Sequence, residues 1–481
     1  MQFTTISFAI FFVVVFSVYW FVFEKSERSQ NIFLLIASYV FYCLFDWRFS
    51  GLLCGISIVT WLIGVLIERN RNNDRLCRRL CTVNVVLCLA TLVVFKYYNF
   101  FVEQVSSVFA WGVSERVFLR IALPLGISFY SFKAVSYCVD VYRNKIAACS
   151  SPIPVLLYIS FFPQLPAGPI EPAYRFIPQI CEKRHFYSAR GAGGLRQILW
   201  GVFKKVVIAD QCALYVDSVF QTYSSQCGST LLIAAIVFSF QIYSDFSGYS
   251  DISIGIARLL GFDISANFKV PYFSRNIAEF WRRWHISLTS WFREYVYFPL
   301  GGSRCSTVRV IGNTTIVFLL SGLWHGANWT FLIWGVYYAV LFIPLIISGR
   351  NKKYKNTVAD GRVLPSWGEL ISMSISFMFV TLGWVIFRAD SIGQAFDYFN
   401  GMLQFGTLKA FYRFFITPEL GAIPLFILCM LVVEWLGRNY DIQLDFLKGK
   451  NRYVVYSIYI LLVLAIVWFW GNPNAFVYQQ F

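Results

Sequence analysis

Two of the three histidines in this sequence lie where an imidazole could do acid–base chemistry. His325 stands between two apolar runs, in the sequence SGLWHGANW over residues 321–329. A histidine at membrane depth is costly unless it faces protein or a water-filled cavity, so such residues mark functional sites by default. Gly322 and Gly326 allow a bend and close backbone approach there. A packing histidine with one satisfied hydrogen bond is the alternative, but we predict His325 as a general base, because a neutral imidazole accepts a hydroxyl proton near pH 7.

His285 lies in a second unusual segment, NIAEFWRRWHIS over residues 276–287. Apolar and aromatic residues recur every three or four positions from residue 277 to 295, which predicts one face of a single helix. Arg282 and His285 fall on a neighbouring face. The charges in this segment disfavour a lipid-exposed crossing, at about 2.5–3.5 kcal/mol each. Two compatible interpretations remain, an interfacial amphipathic helix with an aromatic belt and a helix that lines a pocket.

Two carboxylates, Asp245 and Asp251, follow an apolar run that begins near residue 229. Paired carboxylates can perform acid–base catalysis. Aspartate also caps helix N-termini. We favour capping and local polar structure at a short re-entrant helix over direct catalysis.

Other motifs that carry chemistry are missing from the sequence. It contains no P-loop, GxGxxG, HExxH or GxSxG pattern. Its 12 cysteines are scattered through apolar stretches without CxxC spacing or a Cys/His cluster. We therefore expect no metal site, and we interpret most cysteines as small buried apolar residues.

The elements that position these residues are predicted to be membrane helices. The 481 residues are 58% hydrophobic and only 14% charged, with a mean hydropathy of +0.59, whereas a soluble domain is about a quarter charged. Apolar runs of spanning length recur along the chain, and about 20 residues are needed per crossing. This predicts an all-α polytopic integral membrane protein, a single domain over residues 1–481, with roughly ten to twelve transmembrane helices plus re-entrant and interfacial helices.

The formal charge of +16 reflects topology in this chain. In a soluble protein such a charge would suggest nucleic acid, but here the basic residues lie in short gaps between apolar runs. Loops rich in Lys and Arg stay cytoplasmic, so we expect no nucleic-acid partner. The gaps 68–79, 350–362 and 438–452 are predicted to be cytoplasmic. Counting spans from them places both ends of the sequence outside, with an extracytoplasmic C-terminal tail over about residues 471–481.

Several segments of the sequence together resemble a known family. The run 238–302 looks like the signature region of bacterial membrane-bound O-acyltransferases of the alginate O-acetyltransferase type. The WHG of 324–326, the PLGISF of 124–129 and the PAGPI of 166–170 resemble that family too. The resemblance covers about residues 1–470, and WRRWH with the later His325 is its most specific part.

The resemblance implies a helical fold around a tunnel that crosses the bilayer, with a signature core over about residues 121–345. The family's near-invariant histidine falls on His325 and its second polar position on His285. The acyl donor is typically acetyl-CoA, bound from the cytoplasm as a substrate, with no bound cofactor. The residues expected to line the tunnel or contact substrate are Asn276, Trp281, Arg282, Trp284, Asp245, Ser321, Trp324 and Asn328.

The C-terminal sequence FVYQQF contains a candidate acyl relay. Related systems can end in a Phe-Ile-Tyr-like motif, in which a tyrosine hydroxyl is thought to carry the acyl group. Tyr478 occupies that position here, although Gln479 stands where an aromatic residue is usual. An ordinary interfacial tyrosine is the alternative.

Together these features predict an O-acyltransferase of the bacterial inner membrane. It is expected to pass an acyl group, with acetyl as the expected group, across the membrane to a cell-surface glycan. His325 would be the base, and His285 would position the donor, share the proton or polarise the carbonyl. The resemblance implies a periplasmic partner of the serine-hydrolase (SGNH-like) kind, and it allows alginate, cellulose-like exopolysaccharide or peptidoglycan as acceptor. A transporter or a scaffold for the periplasmic enzyme is the alternative. Transporters often carry internal repeats, none of which is seen here, and a scaffold would tolerate replacement of His325.

Overall fold

The chain is built from helices. The structure, a computed structural model, describes residues 1–109, 123–404, 409–416 and 418–471, and within these ranges helices are the only regular secondary structure. A helix satisfies its backbone hydrogen bonds internally, as a bilayer demands. The predicted all-α fold is confirmed.

Six helical stretches in the described ranges are long and apolar enough to cross a membrane. They are Glu27–Arg69, Asp74–Phe109, Gly228–Leu259, Thr307–His325, Trp329–Ile347 and Trp367–Arg388. Three shorter apolar helices are Ile6–Val22, Ala422–Gly437 and Arg452–Trp468. The chain is therefore a multi-pass membrane protein. The count of ten to twelve crossings stays a prediction.

The helices divide into two compact units. Unit one comprises Met1–Gly194 with Ile256–Ser265, and unit two comprises Leu195–Gly255 with Ala266–Phe481. The assignment of the chain to a single membrane domain stays a prediction.

Unit one is a set of mostly apolar helices with one proline-rich connection. The four prolines between residues 163 and 172 keep that stretch out of helix, as expected for a residue that cannot donate and clashes with the preceding turn. Its helices are α1 (Ile6–Ser17), α2 (Glu27–Asp46), α3 (Ser50–Arg69), α4 (Asp74–Leu92), α5 (Tyr98–Phe109), α6 (Ile127–Tyr142), α7 (Pro152–Ser160), α8 (Ala173–Cys181) and the start of α9 (Ser188–Phe203).

The first basic gap of unit one is anchored to the end of α6. The Tyr142 hydroxyl donates to Asp74 at 3.2 Å, and the Ala148 N–H donates to Glu68 at 2.8 Å. The gap 68–79 and the segment 142–148 therefore lie together on one face of unit one.

Unit two contains the remaining helices, except that residues 256–259, at the end of the helix Gly228–Leu259, belong to unit one. After the rest of α9 they are α10 (Asp210–Gln221), α11 (Gly228–Leu259), α12 (Ile277–Arg283), α13 (Ile286–Phe292), α14 (Thr307–His325), α15 (Trp329–Ile347), α16 (Trp367–Arg388), α17 (Ile392–Leu403), α18 (Lys409–Ile416), α19 (Pro418–Gly437) and α20 (Arg452–Trp468). Short π-helical turns cover Lys204–Ala209 and Arg293–Tyr297.

The other two basic gaps lie together within unit two. Arg438, at the end of α19, donates through its guanidinium to backbone carbonyls of the gap 350–362. The acceptors are the oxygens of Val358, Ala359 and Arg362. Both gaps therefore share one face, as their predicted cytoplasmic location requires.

Helices α14 and α15 form a hairpin whose backbones approach closely at glycines. A Cβ added at Gly335 would lie 2.6 Å from the carbonyl oxygen of Phe318, and one at Gly322 would clash with that of Phe331. Small residues allow membrane helices to approach closely. Lipid tails are as apolar as the helix surfaces, so association depends on close packing and not on the hydrophobic effect. The hairpin fixes where α14 ends, at His325.

We expect Gly322→Ala to lower the free energy of unfolding by about 1–3 kcal/mol, the usual cost of overpacking. Gly312→Ala, in the same helix, is the control because a Cβ there meets nothing within 4 Å; it should be neutral or stabilising by up to about 1 kcal/mol. The unfolding midpoint of the purified protein in detergent measures both. Equal midpoints for the two variants would contradict close packing at Gly322.

Candidate active site

The segment around His285 is broken, so the prediction of one helix across residues 277–295 is wrong. Helix α12 ends at Arg283 and α13 begins at Ile286. Between them His285 adopts the left-handed conformation, with φ 43° and ψ 52°. That conformation costs a non-glycine residue of order 1–3 kcal/mol and persists only where surrounding contacts hold it. The apolar periodicity continues through the break, which is why the sequence pattern did not indicate it.

The contacts that hold His285 are short and come from buried groups. The residue is 1% exposed. Its Nδ1 lies 3.1 Å from Oδ1 of Asn267, and its ring is perpendicular to Phe246 with centroids 4.6 Å apart. It lies outside the six candidate spans. Burial lowers the pKa of the His285 imidazole to about 3, so the ring is neutral at physiological pH.

His325 is the last residue of α14 and is 4% exposed. Its ring lies 5.2 Å from Trp334 and 5.2 Å from Phe387, perpendicular or nearly so to both, with Phe331 at 6.5 Å. His325 is thus enclosed mainly by aromatic rings.

The indole of Trp324 contacts both histidines. Its centroid is 5.7 Å from that of His285 and 5.0 Å from that of His325. Unit two thereby brings together two histidines that are 40 positions apart in the sequence. The third, His185, is exposed and belongs to unit one.

The other aromatic residues predicted to line the site pack around it. Trp281 contacts Trp334 at 5.5 Å and Tyr338 at 4.9 Å. Trp284 contacts Trp384 at 4.8 Å. Ser321 is buried one helical turn before His325, on the same face.

Three of the polar residues predicted to line the site form hydrogen bonds with backbone groups. Asn276 caps α12 by accepting from the N–H of Glu279 at 2.7 Å, and Asn328 caps α15 by accepting from that of Thr330 at 3.0 Å. Arg282 donates to backbone carbonyls of the gap 350–362. Those acceptors are the oxygens of Asn351, Lys353 and Tyr354.

The capping interpretation of Asp245 and Asp251 is wrong. Both lie inside α11, which continues without a break from Gly228 to Leu259. Asp245 is paired with Lys205 at 2.8 Å and Asp251 with Lys204 at 2.6 Å. Each carboxylate needs a buried cation because an unpaired charge in an apolar interior is prohibitively costly.

The two lysines that pair with these aspartates were not among the residues predicted from the sequence. Lys204 and Lys205 begin the π-helical turn between α9 and α10, and both are 1% exposed. Lys204 also donates to Ser247 at 2.9 Å, and Lys205 also pairs with Asp210 at 2.8 Å. Two adjacent lysines within an apolar run were the available signal, since intramembrane charges are rare and paired.

Tyr478 and the tail from residue 472 lie outside the described residues. The relay role of Tyr478 stays a prediction.

The hairpin separates His325 from the basic gap that follows α15. The 19 residues of α15 extend about 28 Å at 1.5 Å per residue. His285 follows Arg282, which is bound to that gap, by three positions. Arg282 therefore joins the segment that carries His285 to the basic gap.

These features define a polytopic membrane protein with two buried histidines around one indole, and comparison with known proteins agrees. The model of the membrane-bound O-acyltransferase family, MBOAT, matches residues 80–384. The chain is 38% identical over 384 residues to the probable alginate O-acetylase of Pseudomonas aeruginosa, covering 80% of this chain and 71% of that protein.

Two further relatives act on other polymers according to their names. The chain is 30% identical over 508 aligned positions to the peptidoglycan O-acetyltransferase of Helicobacter pylori, covering 95% and 93% of the two chains. It is 31% identical over 278 residues to the teichoic acid D-alanyltransferase of Bacillus subtilis, covering 55% and 68%. The chain belongs to the membrane-bound O-acyltransferase family, and it is an O-acyltransferase.

We expect Lys204→Met to lower the free energy of unfolding by about 3–5 kcal/mol, because it leaves Asp251 buried without its cation. Adding Asp251→Asn should recover part of that loss. Lys269→Met is the control, since its pair with Asp441 is exposed and 3.7 Å long and such pairs contribute little. Thermal unfolding in detergent measures all three; a double variant no more stable than Lys204→Met would contradict the pairing.

Proposed function

We propose that this chain takes an acetyl group from cytoplasmic acetyl-CoA and passes it across the bacterial inner membrane for O-acetylation of a cell-surface glycan, with His325 as general base. The observation that carries the proposal is the burial of His325 and His285 around the shared indole of Trp324. The third histidine of the sequence, His185, is exposed.

The chemistry requires one proton to be removed and returned. A hydroxyl oxygen attacks the thioester carbonyl carbon, the carbon–sulfur bond breaks, and the hydroxyl proton passes through His325 to the departing sulfur. No net charge is left in the apolar site at the end of the cycle. A neutral histidine in aromatic surroundings suits this cycle, and such general base catalysis contributes roughly 10²–10⁴-fold.

The donor is proposed to enter from the face that carries the gaps 350–362 and 438–452. These gaps are rich in Lys and Arg, which keeps them cytoplasmic and attracts an anionic donor such as CoA. Arg282 supports the entry indirectly, by binding the backbone of the gap 350–362.

The acceptor is proposed by analogy with the relatives. The names of the Pseudomonas aeruginosa and Helicobacter pylori proteins refer to O-acetylation of alginate and of peptidoglycan. A polymer of this kind lies outside the cytoplasm, so the acyl group has to cross. We propose a periplasmic acyltransferase of the serine-hydrolase (SGNH-like) kind as the partner that completes the transfer.

We expect His325→Gln to reduce transfer of label from radiolabelled acetyl-CoA by about 10²–10⁴-fold, because glutamine fills similar space without accepting a proton at neutral pH. His185→Gln is the matched control and should keep full transfer, since His185 is exposed. The assay uses the full chain in proteoliposomes with its partner and acceptor. Full transfer by a folded His325→Gln protein would sink the general-base assignment and turn attention to a transporter or scaffold.

We expect Tyr478→Phe to abolish covalent label on the chain itself, because it removes the hydroxyl that would carry the acyl group. Tyr440→Phe, an exposed tyrosine elsewhere, controls for loss of a hydroxyl as such. Autoradiography after denaturation measures retained label. Undiminished label on Tyr478→Phe would move the acceptor to another residue or directly to the partner.

A further inference from the structure

Asn267 accepts hydrogen bonds from the residues that follow His285, through both its backbone carbonyl and its side-chain oxygen. Its carbonyl oxygen accepts from the N–H of Ile286 at 2.9 Å. Its side-chain Oδ1 accepts from the N–H of Ser287 at 3.3 Å and from the Ser287 hydroxyl at 2.9 Å. Asn267 is itself fully buried, so these bonds form away from solvent, where a lost hydrogen bond costs most.

The two ends of the Asn267 amide can be told apart chemically. A backbone N–H only donates, so the atom that faces the Ser287 N–H has to be the oxygen. The amide nitrogen then faces the Ser250 hydroxyl at 3.1 Å, which can accept. The orientation of the amide follows from this network and does not rest on telling oxygen from nitrogen directly.

The orientation of the amide determines the tautomer of His285. The Asn267 Oδ1 has no proton to donate, and Nδ1 of His285 lies 3.1 Å from it. Nδ1 must therefore carry the hydrogen and donate. In a neutral imidazole the other nitrogen, Nε2, is then the one with the lone pair.

We propose that Asn267 is a positioning residue that holds neutral His285 as the Nδ1–H tautomer and thereby restricts its Nε2 to accepting a proton or a hydrogen bond. Three roles were open for His285: positioning the donor, sharing the proton and polarising the carbonyl. Polarising a carbonyl through Nε2 needs a hydrogen on that nitrogen, so this role is excluded for the neutral ring. The inference about catalysis rests on the proposed function, but the tautomer does not.

The left-handed turn makes the same contacts necessary for the backbone. With φ at 43°, His285 is strained and depends on its neighbours. Asn267 accepts hydrogen bonds from Ile286 and Ser287, the two residues that follow His285. This one residue therefore orients the imidazole and holds the start of α13.

The test uses the full chain in detergent with ¹⁵N-labelled histidine, and His285→Gln identifies the signals of His285. Nitrogen NMR at pH 7 should show Nδ1 protonated and Nε2 unprotonated in the native protein. Asn267→Leu should shift His285 toward the Nε2–H form and lower kcat by about 10–100-fold, as removal of a partner that orients a histidine does elsewhere, with KM for acetyl-CoA within about twofold. Asn267→Asp keeps an acceptor and should retain the native tautomer.

Asn313→Leu is the matched control, because Asn313 is also a buried amide of unit two, with Leu300 and Gly302 as its carbonyl partners. It should leave the His285 signals unchanged. A native protein with Nε2 protonated, or an Asn267→Leu protein with the native tautomer, would overturn the proposal. The expected tautomers without any acyl transfer would support the proposal and count against the proposed function alone. If Asn267→Leu does not fold, the native spectrum and Asn267→Asp still decide.

Discussion

A polar group inside a bilayer has no water to bind, so this chain has to supply a partner for each one it places there. The consequence is most visible along α11, where two carboxylates that would be intolerable alone are paired with Lys204 and Lys205. A third buried carboxylate, Glu434, accepts from the Tyr243 hydroxyl at 2.7 Å. These bonds join α11 to the π-helical turn and to α19. Polar matching therefore contributes to which elements of unit two lie beside α11.

The contacts described around the two histidines come from uncharged groups. Around the two histidines the structure places rings, with Trp324 between them and Phe246, Trp334 and Phe387 beside them. Aromatic edges and faces can direct an imidazole without adding an ion that needs its own partner. The lysine–aspartate pairs stabilise the scaffold, whereas the contacts described above for the two histidines are with aromatic rings and an amide. A buried amide, Asn267, supplies a strongly directional contact to His285.

The helical class, the multi-pass membrane character and the burial of His325 could be predicted, because composition and the type of residue next to a span reflect local physics. The break at His285 could not, since apolar positions repeat across it and the turn is held by Asn267 from a separate loop. The pairing of Asp251 with Lys204 also escaped, because it depends on packing between residues 47 positions apart. Local pattern indicates which residues are costly to bury, whereas only the packing shows what partners them.

The other polar residues predicted to line the site have structural contacts. The side chains of Asn276, Asn328 and Arg282 form hydrogen bonds with the backbone. Their position in the signature region therefore does not by itself indicate a role in catalysis. What remains at the centre is a pair of buried imidazoles enclosed mainly by aromatic rings. Under the proposed function, such a pair would take a hydroxyl proton and return it to a thiolate, and a neutral pair would offer no lasting positive charge to bind an anion. The same proposal therefore requires an anionic donor to bind at the basic face, apart from the imidazoles where the transfer would occur.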